Sequence, residues 1–158
     1  MYEEVKKALY DIFLAKNVAI EKPQEPRFAN FCCLKTRFYP RKTLTLVVGE
    51  FRDTLHETLT LAHEYGHLIQ EERMGFSDAE VMHCTILAAN YMGLENISDN
   101  GKRTILDLER KASELALGLL AIMGFTDAQL MQARVTYNKW LIGYIQKAGV
   151  EATTMSLL

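Results

Sequence analysis

Two histidines and a glutamate in the segment His63-Glu64-Tyr65-Gly66-His67 have the types and spacing to hold a metal ion and to act on a water beside it. Residues four apart on an α-helix lie on one face, so His63 and His67 can both place an imidazole nitrogen on one ion. Glu64 is rotated by one position. It is poorly placed as a third close ligand but can reach a water on the same ion. Zinc lowers the pKa of such a water to roughly 7, and a carboxylate can then take its proton. With four histidines in 158 residues, chance placement yields roughly 0.01 occurrences of this pattern. The plainer alternative is a buried helix whose two histidines pair with carboxylates. The coincidence of Glu64 with both histidines favours the metal.

A catalytic zinc site usually takes three protein ligands and leaves a position open. An extended pattern with a third histidine is absent, because Gln70 and Arg73 stand where it needs Gly and His. Another element must supply the third ligand. A later helical stretch offers Glu109. At 3.6 residues per turn it shares a face with Ile105, Ala112, Ser113, Ala116 and Leu120, and is the only charged residue there. Arg103, Asp107, Arg110, Lys111 and Glu114 fall on the other side. A carboxylate on an apolar, small-residue face needs a strong partner. A metal is one; a half-exposed pairing with lysine or arginine is the bland alternative.

The elements that must position these groups follow from periodicity. Val5, Leu9, Ile12 and Phe13 predict a first helix over about residues 2–16. The segment EKPQEP reads as a linker. Residues 28–38 and the β-branched TLTLVV run, Thr43–Val48, read as two strands joined by a turn at Tyr39-Pro40-Arg41-Lys42. From Asp53 to about residue 148 only helices are expected, starting near Thr54, Ser77, Gly101 and Asp127. Thr54 with Glu57, and Ser77 with Glu80, match the capping-box pattern. The HExxH helix carries apolar stripes on two sides and its histidines on a third. Gly66 lowers helix propensity there, which a close approach by another backbone, such as a strand, would justify. The fold expected is α+β: one mostly helical, zincin-like domain over residues 1–158, with a small hairpin beside the HExxH helix.

Other residues carry weaker signals. His56 projects to the side of His63 and is a candidate at the rim of the site, or else an exposed or capping histidine. His83 follows Glu80 by three residues, a metal-binding spacing, but on its own capped helix it reads as structural, with polarisation of a substrate carbonyl as the other option. Cys84 reads as a core cysteine. Cys32 and Cys33 point to opposite faces of a regular strand and do not chelate together.

Bulk properties narrow the class. A net charge of −2 provides no basic field for nucleic acid. No segment approaches a membrane span. The N-terminal residues lack a secretory pattern. Three cysteines make no disulfide framework, so a cytoplasmic, reduced protein is expected.

The segment TLAHEYGHLIQ resembles the signature of the ImmA/IrrE family of metallopeptidases, and ERKASELALGLL resembles that family's later helix pattern. In the second, a metal-binding glutamate is followed at fixed offsets by small and apolar residues, here Glu109 with Ala112, Ser113, Leu115, Ala116, Leu119 and Leu120. The likeness spans about residues 43–120 and departs from the family at Ala121-Ile122, where Met-Pro often follows the Leu pair. It implies Zn2+ on His63, His67 and Glu109, with Glu64 as catalytic base. It also implies a helix-turn-helix repressor as protein substrate, in the setting of phages, mobile elements or stress responses. The expected activity is therefore zinc-dependent endoproteolysis, with an extended substrate lying beside the Thr43–Val48 strand. A metal-bearing binding module that does not cut, and a metal-free helical interaction protein, are the competing expectations.

Overall fold

Helix α1 (Tyr2–Ala15) turns Val5, Leu9 and Phe13 inward at helical spacing. It ends in a Schellman arrangement: Asn17 takes the left-handed conformation (φ 57°), Asn17 N–H donates to Leu14 O, and Val18 N–H donates to Phe13 O. Strands β1 (Ala19–Glu21), β2 (Cys32–Arg37) and β3 (Thr43–Val48) follow, then helices α2 (Thr54–Arg73), α3 (Phe76–Met92), α4 (Asp99–Ile122) and α5 (Asp127–Ala148), with a 3-10 turn at Leu94–Asn96. This computed structural model describes residues 1–25, 30–150 and 157–158. Phe28 and Ala29, expected to open the first strand, and Pro26 of the linker lie outside the described residues, as do residues 151–156. The architecture is α+β, as expected. Among the described residues no helix is long and apolar enough to cross a membrane.

The sheet has the order β1-β3-β2. β2 and β3 form the expected antiparallel hairpin, with Leu34 opposite Leu46. β1 was not anticipated: three residues carry too little periodicity to read, and it pairs parallel to β3, Ile20 opposite Leu46. Its presence makes β3 the central strand. The Thr43–Val48 strand therefore has no free edge to receive an added strand, which corrects that expectation. The edge nearest α2 belongs to β2.

α2 lies between the sheet, α1 and α4, and is buried almost continuously from Thr58 to Glu64. Its N-cap is Asp53, whose carboxylate accepts from Leu55 N–H and His56 N–H. Thr54 and Glu57 are not a capping box: the Thr54 hydroxyl donates to Glu3, and Glu57 accepts from Tyr10. Ser77 is likewise no cap, because α3 starts at Phe76 with Gly75, two positions earlier, as an N-cap without a side-chain bond. The capping box occurs instead at α5, between Thr126 and Gln129. One main core gathers Leu9, Phe13, Leu46, Leu61, Leu68, Leu120 and Tyr137, and a smaller one joins Leu106 to Leu141, Ile145 and Ala148.

Tyr137 ties α5 to the centre. Its ring is fully buried and its hydroxyl donates to Leu59 O at 2.8 Å. Tyr137→Phe should cost about 1 kcal/mol, the net worth of one buried hydrogen bond. A denaturant midpoint unchanged from the parent would show that this bond contributes nothing.

Candidate metal centre

His63 and His67 stand one turn apart on α2, and Glu109 meets them from α4. The helices are able to meet because Gly66 lies against the backbone of Ala112. A Cβ on Gly66 would sit 2.3 Å from Ala112 O. The close approach by another backbone expected at Gly66 is thus made, and by a helix rather than a strand. Glu109 Oε2 lies 3.0 Å from His63 Nε2 and 3.6 Å from His67 Nε2, and the two Nε2 atoms are 3.1 Å apart. These three residues form the group that could hold a metal ion among the described residues.

The outer hydrogen bonds assign the histidine tautomers. The Ser113 hydroxyl donates to Glu109 O (3.1 Å), so it accepts from His63 Nδ1–H (3.0 Å). The Gln70 amide donates through Nε2 to Leu108 O (2.9 Å), which turns its Oε1 towards His67 Nδ1–H (3.0 Å). With both Nδ1 atoms donating outward, both Nε2 atoms carry lone pairs into the cluster. Two lone pairs and a carboxylate oxygen converge there and need a cation. Tetrahedral zinc with bonds of 2.0–2.1 Å has ligand–ligand edges of about 3.3 Å, which the observed spacings approximate. A proton is the competing cation. Burial disfavours charge on His67, but the Glu109 charge and hydrogen bond, with Glu64 and Gln70, outweigh it and raise His67 to about 9. Burial likewise works against ionised Glu109, yet the two histidines hold it well below the usual carboxylate range. Metal binding at this group should therefore release a proton.

Glu64 is buried and turned towards β2. Its Oε2 accepts from Leu34 N–H at 2.8 Å. Burial pushes its carboxyl above the ordinary value, against the pull of the two histidines. Since Leu34 spends its N–H on Glu64 rather than on β3, the outer edge of β2 presents the backbone polar groups of Cys32, Leu34 and Thr36 beside the cluster.

The remaining wall comes from α5. Tyr137 and Trp140 both lie with ring centroids 5.9 Å from His63. His56 sits between Phe51 and Trp140, one ring removed from His63. His83 packs on Phe38 at the end of the hairpin. Neither His56 nor His83 belongs to the three-residue group. Cys84 is exposed rather than in the core, because α3 buries only Ala79. The Cys33 thiol is pushed up to about 11, chiefly by burial, and is neutral at ordinary pH. On α4, Arg110 pairs with Asp107 and Glu114, and Lys111 with Asp107, away from the cluster as the helix projection requires.

The parts missed by sequence reading are Gln70, Leu34 N–H and the α5 aromatics. Gln70 had a signal: it follows His67 by three, a spacing at which side chains meet on a helix. The other two depend on tertiary packing. No protein-family profile matches the chain, and no curated protein or solved structure matches it.

Proposed function

We propose that this protein is a zinc-dependent endopeptidase that cuts a segment of a protein partner. One observation carries the reading: a buried carboxylate, Glu64, stands on the same stretch of α2 as two histidines whose Nε2 atoms converge with Glu109 of α4. His63, His67 and Glu109 would hold the ion, with Ser113 and Gln70 keeping the imidazoles in the binding tautomer. When bound, zinc supplies Lewis-acid polarisation of the scissile carbonyl and makes water more acidic. Glu64 takes the proton from the attacking water as the new C–O bond forms. It returns that proton to the amide nitrogen as the C–N bond breaks. Leu34 N–H holds one oxygen of Glu64, and the other makes no hydrogen bond among the described residues.

The edge of β2 gives the substrate its path. An extended peptide can pair with the outward N–H and C=O groups of Cys32 and Thr36, which places its backbone over the cluster. A helix-turn-helix repressor as the substrate is supported only by the family resemblance.

The test is elemental analysis with a peptide-pool digest. The parent should carry about one zinc per chain and lose cleavage on chelation. Glu109→Gln should lose affinity by about 100-fold or more, since a neutral amide replaces a charged ligand. Chelator-resistant cleavage would defeat the zinc reading. Full zinc affinity in Glu109→Gln would remove Glu109 from the ligand set.

A further inference from the structure

Zinc and Glu64 account for the attacking water, but no side chain has been assigned to the negative charge that develops on the carbonyl oxygen. We propose that Tyr144 is that catalytic residue: its phenol O–H donates a hydrogen bond to the oxyanion as water adds to the peptide carbonyl. The inference rests on the endopeptidase reading above.

The placement follows from how α5 crosses α4. Ser113 of α4 and Tyr137 of α5 both touch His63, and Leu106 of α4 packs with Leu141 and Ile145 of α5. The two helices therefore run antiparallel. Stepping back along α4 from Ser113 to Glu109 and Leu106 corresponds to stepping forward along α5 from Tyr137 to Tyr144. Tyr137, Trp140 and Tyr144 recur at i, i+3 and i+7, one face of a helix. The first two are against His63. The third comes alongside the turn that carries Glu109, with its ring on the Leu106 cluster.

The three aromatics differ in what their polar atoms can do. Tyr137 is fully buried and has committed its hydroxyl to Leu59 O. Tyr144 is half-buried, and its hydroxyl makes no hydrogen bond among the described residues. Glu109 is the strongest influence on that phenol, ahead of burial, with Glu64 and Cys33 after it. Because it shares the helical face of Tyr137 and Trp140, both against His63, the Tyr144 ring lies on the cluster side of α5, where the Glu109 charge and burial keep its phenol protonated, as a donor must be. Glu64 is held on the β2 wall by Leu34, so base and donor stand on opposite walls. The other titratable candidates are pinned elsewhere: His56 between Phe51 and Trp140, His83 on Phe38.

The test compares the zinc-loaded parent with Tyr144→Phe, and with Tyr144→Leu as a second variant that keeps apolar packing. Three quantities are read: kcat and KM on a quenched-fluorescence peptide cut by the parent, zinc affinity, and calorimetric affinity for a phosphinic analogue of that peptide. Both variants should lose about 100-fold in kcat, as when one oxyanion donor is removed. KM should move less than about threefold. Zinc affinity should not change, and the phosphinic analogue should bind about 100-fold more weakly, because it mimics the tetrahedral oxyanion. Parent-like kcat and phosphinate affinity in Tyr144→Phe would overturn the assignment while leaving the endopeptidase reading intact. Loss of zinc in both variants would overturn it in favour of a supporting role for the ring. A parent that binds zinc but cuts no peptide would overturn both readings.

Discussion

Glu64→Gln will keep zinc and lose peptide cleavage, by about a thousandfold in kcat, within the range for removal of a general base. The substitution preserves shape and an oxygen that can accept from Leu34 N–H, so the contact at 2.8 Å survives. It removes the one capacity the mechanism uses, that of taking up and returning a proton. The fold should not suffer. Glu64 is a buried charge close to the Glu109 carboxylate, and each carboxylate opposes ionisation of the other. A neutral amide relieves that repulsion, so the unfolding midpoint should stay level or rise. The direction of the Glu64 shift fits the proposed role, since burial lifts the carboxyl towards neutrality, where a base that must also act as an acid works best. Cleavage rate and zinc content measured on one preparation decide the matter. Undiminished cleavage would eliminate Glu64 as the base. A parent that holds zinc and retains a protein partner uncut would instead favour the binding-module alternative.

The largest structural effect should come from Gly66→Ala. Alanine is the better helix former by about 1 kcal/mol, so propensity alone predicts stabilisation. Packing predicts the reverse. The added methyl would lie 2.3 Å from Ala112 O and 2.8 Å from its carbonyl carbon. Both are backbone atoms, and no rotamer change can relieve the overlap. α4 would have to move away from α2, opening the main core. A net loss of about 3 kcal/mol or more is expected, the upper end for overpacking. Zinc affinity should fall with it, because α4 carries both Glu109 and the Ser113 hydroxyl that orients His63. Gly118→Ala is the matched control. It lies within the helical span of α4 and nothing stands within 4 Å of its added methyl, so it should stabilise by up to about 1 kcal/mol. Chemical unfolding of both variants separates packing from propensity. Equal stability for Gly66→Ala and the parent, with zinc retained, would mean that the two helices do not need this closeness.

Much of the site could be read from local spacing. The interval of four between His63 and His67, and the lone carboxylate of Glu109 on an apolar helical face, are properties of one helix each. Helix periodicity converts them directly into geometry. The residues around them were less legible. Gln70 was read as a departure from a three-histidine pattern, whereas it orients His67. The capping boxes at Thr54 and Ser77 matched a short pattern that many sequences contain, and Asp53 and Gly75 took those positions instead. Strand β1 was too short to show alternation, and overlooking it left the wrong strand at the edge of the sheet.

By itself the sequence determined the α+β class, the β2–β3 hairpin, the helical spans and the three groups able to share a cation, because each depends on periodicity within one segment. Only the tertiary structure decided which strand edge faces those groups, which hydrogen bonds set the imidazole tautomers, and that α5 sets Tyr137 and Trp140 against His63. Apart from the Gln70–His67 bond, those features join residues 30 or more positions apart, and no local period encodes such a pairing. What brings them together is burial of the apolar stripes of α2, α4 and α5 against one another, with Gly66 setting how close α2 and α4 can come.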